Sequence, residues 1–119
     1  MAAGILLVDD HPGFRRLTRR LLEAGGLEVV GEAADGREAL RRVAALCPGV
    51  VVMDVFLPDM DGFAVAERLA ASEEPPVVVL ISSHCRAELG TRLDRAPITG
   101  FLAKDELSVQ RLTELLSRR

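Results

Sequence analysis

Short, unbroken apolar runs punctuate this chain, and each stops on a polar group. Residues 5 to 8 (Ile-Leu-Leu-Val) end on Asp9 and Asp10, and residues 50 to 53 (Val-Val-Val-Met) end on Asp54. Val77 to Ile81 ends on Ser82 and Ser83, and a looser run from Ile98 to Ala103 ends on Lys104. Apolar runs this short, without alternation, read as strands buried on both faces, as in a parallel sheet. Leu27 to Ala33 alternates less cleanly, with Glu28 and Glu32 flanking Val29 and Val30, which suits a strand nearer the sheet edge.

Helical spacing fills the intervals. Pro12 suits a first helical position; Phe14, Leu17, Leu21 and Leu22 mark one face and Arg15, Arg16, Arg19 and Arg20 the other; Gly25-Gly26 stops the helix. Asp35 with Glu38 three residues on resembles a capping box, and Leu40, Val43, Ala44 and Cys47 (or Leu46) continue at helical spacing until Pro48-Gly49. Turn residues crowd Phe56 to Gly62, and a helix then runs to about Ala71 with Phe63, Ala66, Leu69 and Ala70 inward. A weaker helix covers roughly Arg86 to Arg95, interrupted by Gly90. Asp105 is expected to cap a last helix carrying Leu107, Leu112, Leu115 and Leu116. Strand and helix thus alternate five times, which predicts one parallel sheet with helices on both faces.

Composition narrows the class. A chain of 119 residues, 49% of them apolar, fits one domain over 1–119 with one packed interior. The net charge of −3, with acids and bases interspersed, leaves no basic footprint for nucleic acid and no polybasic membrane patch. The apolar runs are far shorter than the roughly 20 residues a membrane span needs, and no secretion signal opens the chain. Cytoplasmic residence is expected. Cys47 and Cys85 fit no metal-binding or redox spacing and read as free thiols. Fourteen arginines stand against a single lysine, Lys104. Retaining one compact, mobile ammonium at one strand end suggests a point charge is wanted there.

Parallel strands place all their carboxyl ends on one edge, where ligands bind in open α/β sheets. Asp9, Asp10, Asp54, Ser82 and Lys104 should converge there. Asp35, Asp59 and Asp61 read instead as helix caps or turn residues. Three acids packed together repel, and a hard divalent cation relieves that repulsion. A carboxylate can attack a phosphoryl group, whose spreading negative charge needs cations and donors around it. Mg²⁺ held by Asp10, Asp54 and a backbone carbonyl near Phe56, with Asp9 acting partly through water, would meet one oxygen. Lys104 and the Ser82 hydroxyl would meet the others.

At these residues the sequence resembles the receiver domain of two-component response regulators. The resemblance rests on Leu7 to His11, Met53 to Pro58 with Asp61-Gly62, Leu80 to Ser82, and Phe101 to Lys104. It implies a flavodoxin-like (βα)5 three-layer sandwich of strand order 2-1-3-4-5, an order for which a member of this family is itself a standard example. It implies that Asp54 is the phosphoacceptor, loaded by a sensor histidine kinase, and that Mg²⁺ (or Mn²⁺) binds at Asp9, Asp10, Asp54 and the Phe56 carbonyl. Ser82 and Phe101 would form the switch, Phe101 turning inward on phosphorylation, while Lys104 contacts the phosphoryl group. Phe56 and His84 stand where the family tunes hydrolysis, and Phe56 cannot orient water, so a phosphoform lasting many minutes is expected. The run from Asp9 to Pro12 and that from Lys104 to Ser108 look most like receivers that precede a LuxR-type helix-turn-helix domain. That implies control of a DNA-binding output lying outside this chain and no direct nucleic-acid contact by this domain; the switched face would act by homodimer formation or by release of an attached domain. Asp105 stands where the family more often has proline, and Phe101 where it often has tyrosine.

Three other readings compete. An aspartyl phosphohydrolase usually carries a second Asp two residues after the first; here that position is Phe56. A flavin or nucleotide binder needs a phosphate cradle after the first strand, where Asp9 and Asp10 would repel one. A receiver-shaped module working without phosphorylation does not need the complete acid set.

Overall fold

The computed structural model describes residues 4–117. Five parallel strands form one sheet in the order β2-β1-β3-β4-β5. They are β1 (Ile5–Val8), β2 (Val29–Ala33), β3 (Val50–Asp54), β4 (Val77–Ser82) and β5 (Gly100–Ala103). The helices are α1 (Pro12–Ala24), α2 (Gly36–Leu46), α3 (Gly62–Ala70), α4 (Arg86–Leu89), α5 (Arg92–Arg95) and α6 (Val109–Ser117). This is the flavodoxin-like order expected from the sequence.

The period-two alternation of strands decides what faces what. Leu6, Val8, Val51, Met53, Leu80 and Phe101 point to the side covered by α2, α3, α4 and α5. Ile5, Leu7, Val52, Val79, Ile81 and Leu102 point to the other side, onto Leu22 of α1 and Leu112 of α6. All of β3 is buried. Extending the alternation one residue past each strand puts Asp9 and Lys104 on the α1/α6 side, together with Asp54. Ser82 falls on the opposite side with Phe101. The register aligns the ends: Val8 pairs with Met53, Asp54 with Ile81 and Ser82 with Ala103.

Several local expectations are corrected. The inward line of α1 is Phe14, Thr18 and Leu22, whereas Leu17 and Leu21 are 68% and 45% exposed. Arg15, expected on the outer face, is half-buried. In α2, Cys47 is an exposed left-handed residue (φ 49°) that ends the helix rather than lining its inner face. In α3, Ala70 is exposed and Val65 is buried. The expected helix from Arg86 to Arg95 is two short pieces, because Gly90 adopts φ 61° and ψ −146°, a conformation almost confined to glycine. β2 begins at Val29 and β5 at Gly100, each two residues later than expected. Asp105 lies inside a 3₁₀ turn, Lys104–Glu106, and caps nothing. It is the Ser108 hydroxyl that accepts from the Arg111 amide (3.1 Å) at the start of α6.

The three acids read as caps are caps. Asp35 accepts from the Glu38 amide (2.8 Å), while the Glu38 carboxylate reaches back to the Ala34 amide (2.7 Å). Asp61 accepts from the Ala64 amide (2.9 Å) at the start of α3. Asp59 accepts from the Gly36 and Arg37 amides (2.7 and 3.0 Å), tying the loop after β3 to the start of α2. Gly62 donates to the Val55 carbonyl at 2.7 Å, and a Cβ there would fall 2.6 Å from the Asp54 carbonyl oxygen. Only glycine lets α3 start so close behind Asp54.

Candidate functional site

β1, β3 and the end of β5 deliver Asp9, Asp54 and Lys104 to one point. The Lys104 ammonium lies 2.6 Å from Asp9 Oδ2 and 3.0 Å from Asp54 Oδ2. Both acids are almost fully buried, at 1% and 5% exposure. Asp54 Oδ1 accepts from the Phe56 amide at 3.0 Å, which fixes the carboxylate from the loop side. Asp9 Oδ1 accepts from the His11 amide at 2.8 Å. The contact Phe56 makes with Asp54 is through its amide.

Charge follows from this packing. Burial pushes the Asp54 carboxyl above its ordinary range and the negative Asp9 adds to the push, against the opposing Phe56 amide and Lys104 ammonium. Burial disfavours the Lys104 ammonium, but Asp9 and Asp54 outweigh it and raise its pKa. The ammonium also sits 4.5 Å from the centre of the Phe14 ring, a cation–π contact that holds it from the α1 side.

The residues fit a hard divalent cation. Asp9, Asp10, Asp54 and the His11 ring each bring a ligand atom into a group no more than 4.8 Å across. Asp9 Oδ2 is buried and accepts no well-formed hydrogen bond; it faces the ammonium alone. Three carboxylate oxygens around one point suit Mg²⁺ or Mn²⁺.

Ser82 stands on the other side of the sheet edge. Its hydroxyl is fully buried and accepts from the His84 amide at 3.0 Å. The His84 ring packs on Phe56, with centroids 4.7 Å apart, and its Nδ1 lies 2.9 Å from the Glu88 carboxylate. Phe101 is 7% exposed, packed with Leu80, Leu89 and Leu93, and the Arg86 guanidinium lies 5.4 Å from its ring centre. The inward position expected only after phosphorylation is therefore already occupied. Without a hydroxyl to keep in water, the ring gains by burial.

Three neighbours of the site were missed in the sequence. His11 places Nδ1 3.1 Å from both Asp9 Oδ1 and Asp10 Oδ1. Phe14 faces Lys104. The Arg15 guanidinium donates to the Asp9 carbonyl. Helical spacing put Phe14 on the inner face but could not say that its ring meets an ammonium.

A family model described as the response regulator receiver domain matches residues 5–117. The chain belongs to that family: it is a receiver domain of a two-component response regulator. In sequence it is 39% identical over 102 residues to the "Probable transcriptional regulatory protein NarL" of Mycobacterium tuberculosis, covering 85% of this chain and 47% of that protein. It is 46% identical over 114 residues to a protein-glutamate methylesterase/protein-glutamine glutaminase of Myxococcus xanthus, covering 93% of this chain and 33% of that one. In structure it resembles the signal receiver domain of the response regulator NarL from M. tuberculosis, with TM-score 0.89 and 34% identity over 99% of this chain and 98% of that one. A LuxR-family two-component response regulator from Aurantimonas gives TM-score 0.88 and 32% identity, over 100% of this chain and 88% of that one. The chain spans about half or less of the length of these curated relatives.

Proposed function

We propose that Asp54 is the phosphoacceptor of this receiver and that a sensor histidine kinase loads it. The observation that carries this reading is the buried triangle of Asp9, Asp54 and Lys104, in which one ammonium bridges two acids. An Asp54 carboxylate oxygen attacks phosphorus, the phosphorus–nitrogen bond to the kinase histidine breaks, and the histidine nitrogen leaves with the electron pair. Lys104 remains within reach to donate to the phosphoryl oxygens, and the Ser82 hydroxyl turns from the His84 amide to do the same. Asp9, Asp10, Asp54 and the Phe56 carbonyl would hold Mg²⁺ (or Mn²⁺), which when bound neutralises charge on the transferring group. The domain switches conformation rather than turning over a substrate.

Phosphorylation adds roughly −1.5 to −2 charges and three acceptor oxygens. Moving a switch from 1:99 to 99:1 needs about 5.5 kcal/mol of differential binding. A few charge-assisted hydrogen bonds of about 1.5–3 kcal/mol each supply it. Because Phe101 is already inside, the movement falls to Ser82 and the loop carrying His84. The similarity to NarL and to LuxR-family regulators supports a helix-turn-helix DNA-binding partner domain, homodimer formation as output, and a cytoplasmic setting. Among the described residues no helix is long and apolar enough to cross a membrane.

Intact mass after acetyl phosphate with Mg²⁺ tests the reading. Wild type should gain one phosphoryl group and Asp54→Ala none. Equal gain by both would overturn it.

A further inference from the structure

We infer that Arg15, clamped by Glu32, is a positioning residue that sets the shape of the metal site by pinning the peptide between Asp9 and Asp10; this rests on the metal reading given above. The Asp9 amide is still in the sheet, donating to the Ala33 carbonyl at 3.0 Å. Beyond it the chain leaves β1, and the Asp9 carbonyl accepts instead from Arg15 Nη1, six residues on in α1. That carbonyl belongs to the peptide plane linking the two acids. Any rotation of the plane swings both carboxylates, so one hydrogen bond governs two ligands.

The arginine is itself held. Arg15 Nε donates to Glu32 Oε1 at 2.9 Å, with only 17% of the arginine side chain exposed. The other Glu32 oxygen accepts from Arg19 Nη1 at 3.0 Å, and Arg19 Nη2 reaches the Val29 carbonyl at 3.3 Å. Glu32 lies on β2, paired through Leu7 with β1. The fork of Arg15 thus bridges a fixed carboxylate on β2 to the first carbonyl past the end of β1. A planar guanidinium does this in one geometry; a lysine ammonium has no such fork.

Two effects of Arg15 on a bound cation have opposite signs. As a nearby positive charge, it opposes a divalent ion, so removing it should tighten binding. As a positioning group, it keeps the ligands preorganised, so removing it should weaken binding. Glu32 neutralises much of the first effect, and the geometry makes the second dominant.

Isothermal titration with Mg²⁺ alone separates them, with amide NMR shifts reporting where the ion binds and thermal melting reporting folding. Arg15→Gln is expected to bind Mg²⁺ about tenfold more weakly, about 1.4 kcal/mol. Arg15→Lys, which keeps the charge, should also lose several-fold. Glu32→Gln, which frees the fork without touching it, should weaken binding in the same direction. Arg20→Gln, on the exposed side of the same helix, should match wild type. Unchanged or tighter binding by Arg15→Gln, or unchanged binding by Arg15→Lys, would overturn the inference. Should Arg15→Gln fail to fold, Arg15→Lys, which keeps the charge, decides in its place. Failure of wild type itself to shift the Asp9, Asp10 and Asp54 amides would instead overturn the metal reading beneath it.

Discussion

Asp54 holds its proton more readily than an ordinary aspartate because burial penalises its charge and Asp9 adds repulsion. A carboxyl raised on folding binds protons more tightly folded than unfolded. Stability therefore falls as pH rises from the ordinary value of 3.8 through the folded one. At neutral pH without Mg²⁺ the ionised group is a net cost, so Asp54→Asn is expected to raise Tm, each 1 kcal/mol gained being worth roughly 4–8 °C. Glu32 runs the other way. Burial raises its pKa, but Arg19 and Arg15 outweigh that and lower it, so its contribution is present above 4.5 and lost as pH falls through the folded value. Acid melting of Glu32→Gln should accordingly be less steep than that of wild type. Beside Asp54, Phe56 is 47% exposed and packs at a tilt against the His84 ring, with no side-chain atom to orient attacking water. Labelled-phosphate decay should be slow, with a half-life on the order of many minutes, and Phe56→Asn should shorten it. The acids and Lys104 were readable because each ends a strand, and topology alone brings strand ends together. Arg15 was not, because helical periodicity sorts residues by face and says nothing about how far a long side chain reaches.

At the scale of elements, two glycines decide where helices begin and break. Gly62→Ala would press a methyl onto the Asp54 carbonyl, where backbone cannot yield. A loss of about 1–3 kcal/mol in urea unfolding is expected, with slower phosphorylation because Asp54 is displaced too. Gly90→Ala has open space around it but the wrong backbone angles, and should cost about 1–3 kcal/mol. Glycine 90 could be seen in the sequence as a weak point; its positive φ could not, since that choice comes from how α4 and α5 dock. Asp105 shows the reverse failure. It satisfies the capping pattern, yet the chain first makes a 3₁₀ turn, closed by the Ala103 amide donating to Glu106 at 3.0 Å. Local propensity favoured the nearer cap, and the position of Leu112 in the core selected the later one.

For the molecule as a whole, the shared edge followed from the apolar runs of parallel strands and the strand order from the family resemblance, and both hold. The helix facings hold less well. On α1, two of the three leucines assigned inward face outward, because a small rotation of the helix puts Thr18 rather than Leu17 and Leu21 on the inner line. Leu22→Ala should therefore cost about 2–5 kcal/mol, whereas Leu17→Gln should stay within about 0.5 kcal/mol of wild type. Denaturant midpoints for the two variants check the assignment directly. The placement of Lys104 reaches further than its contacts. The only lysine side chain in the sequence is inside the acidic notch, 16% exposed, so no lysine is offered on the surface to amine-seeking reagents. Acylation of that one side chain becomes a clock for how often the notch opens, and cross-linkers that join lysines will find no anchor on the outer surface of this domain.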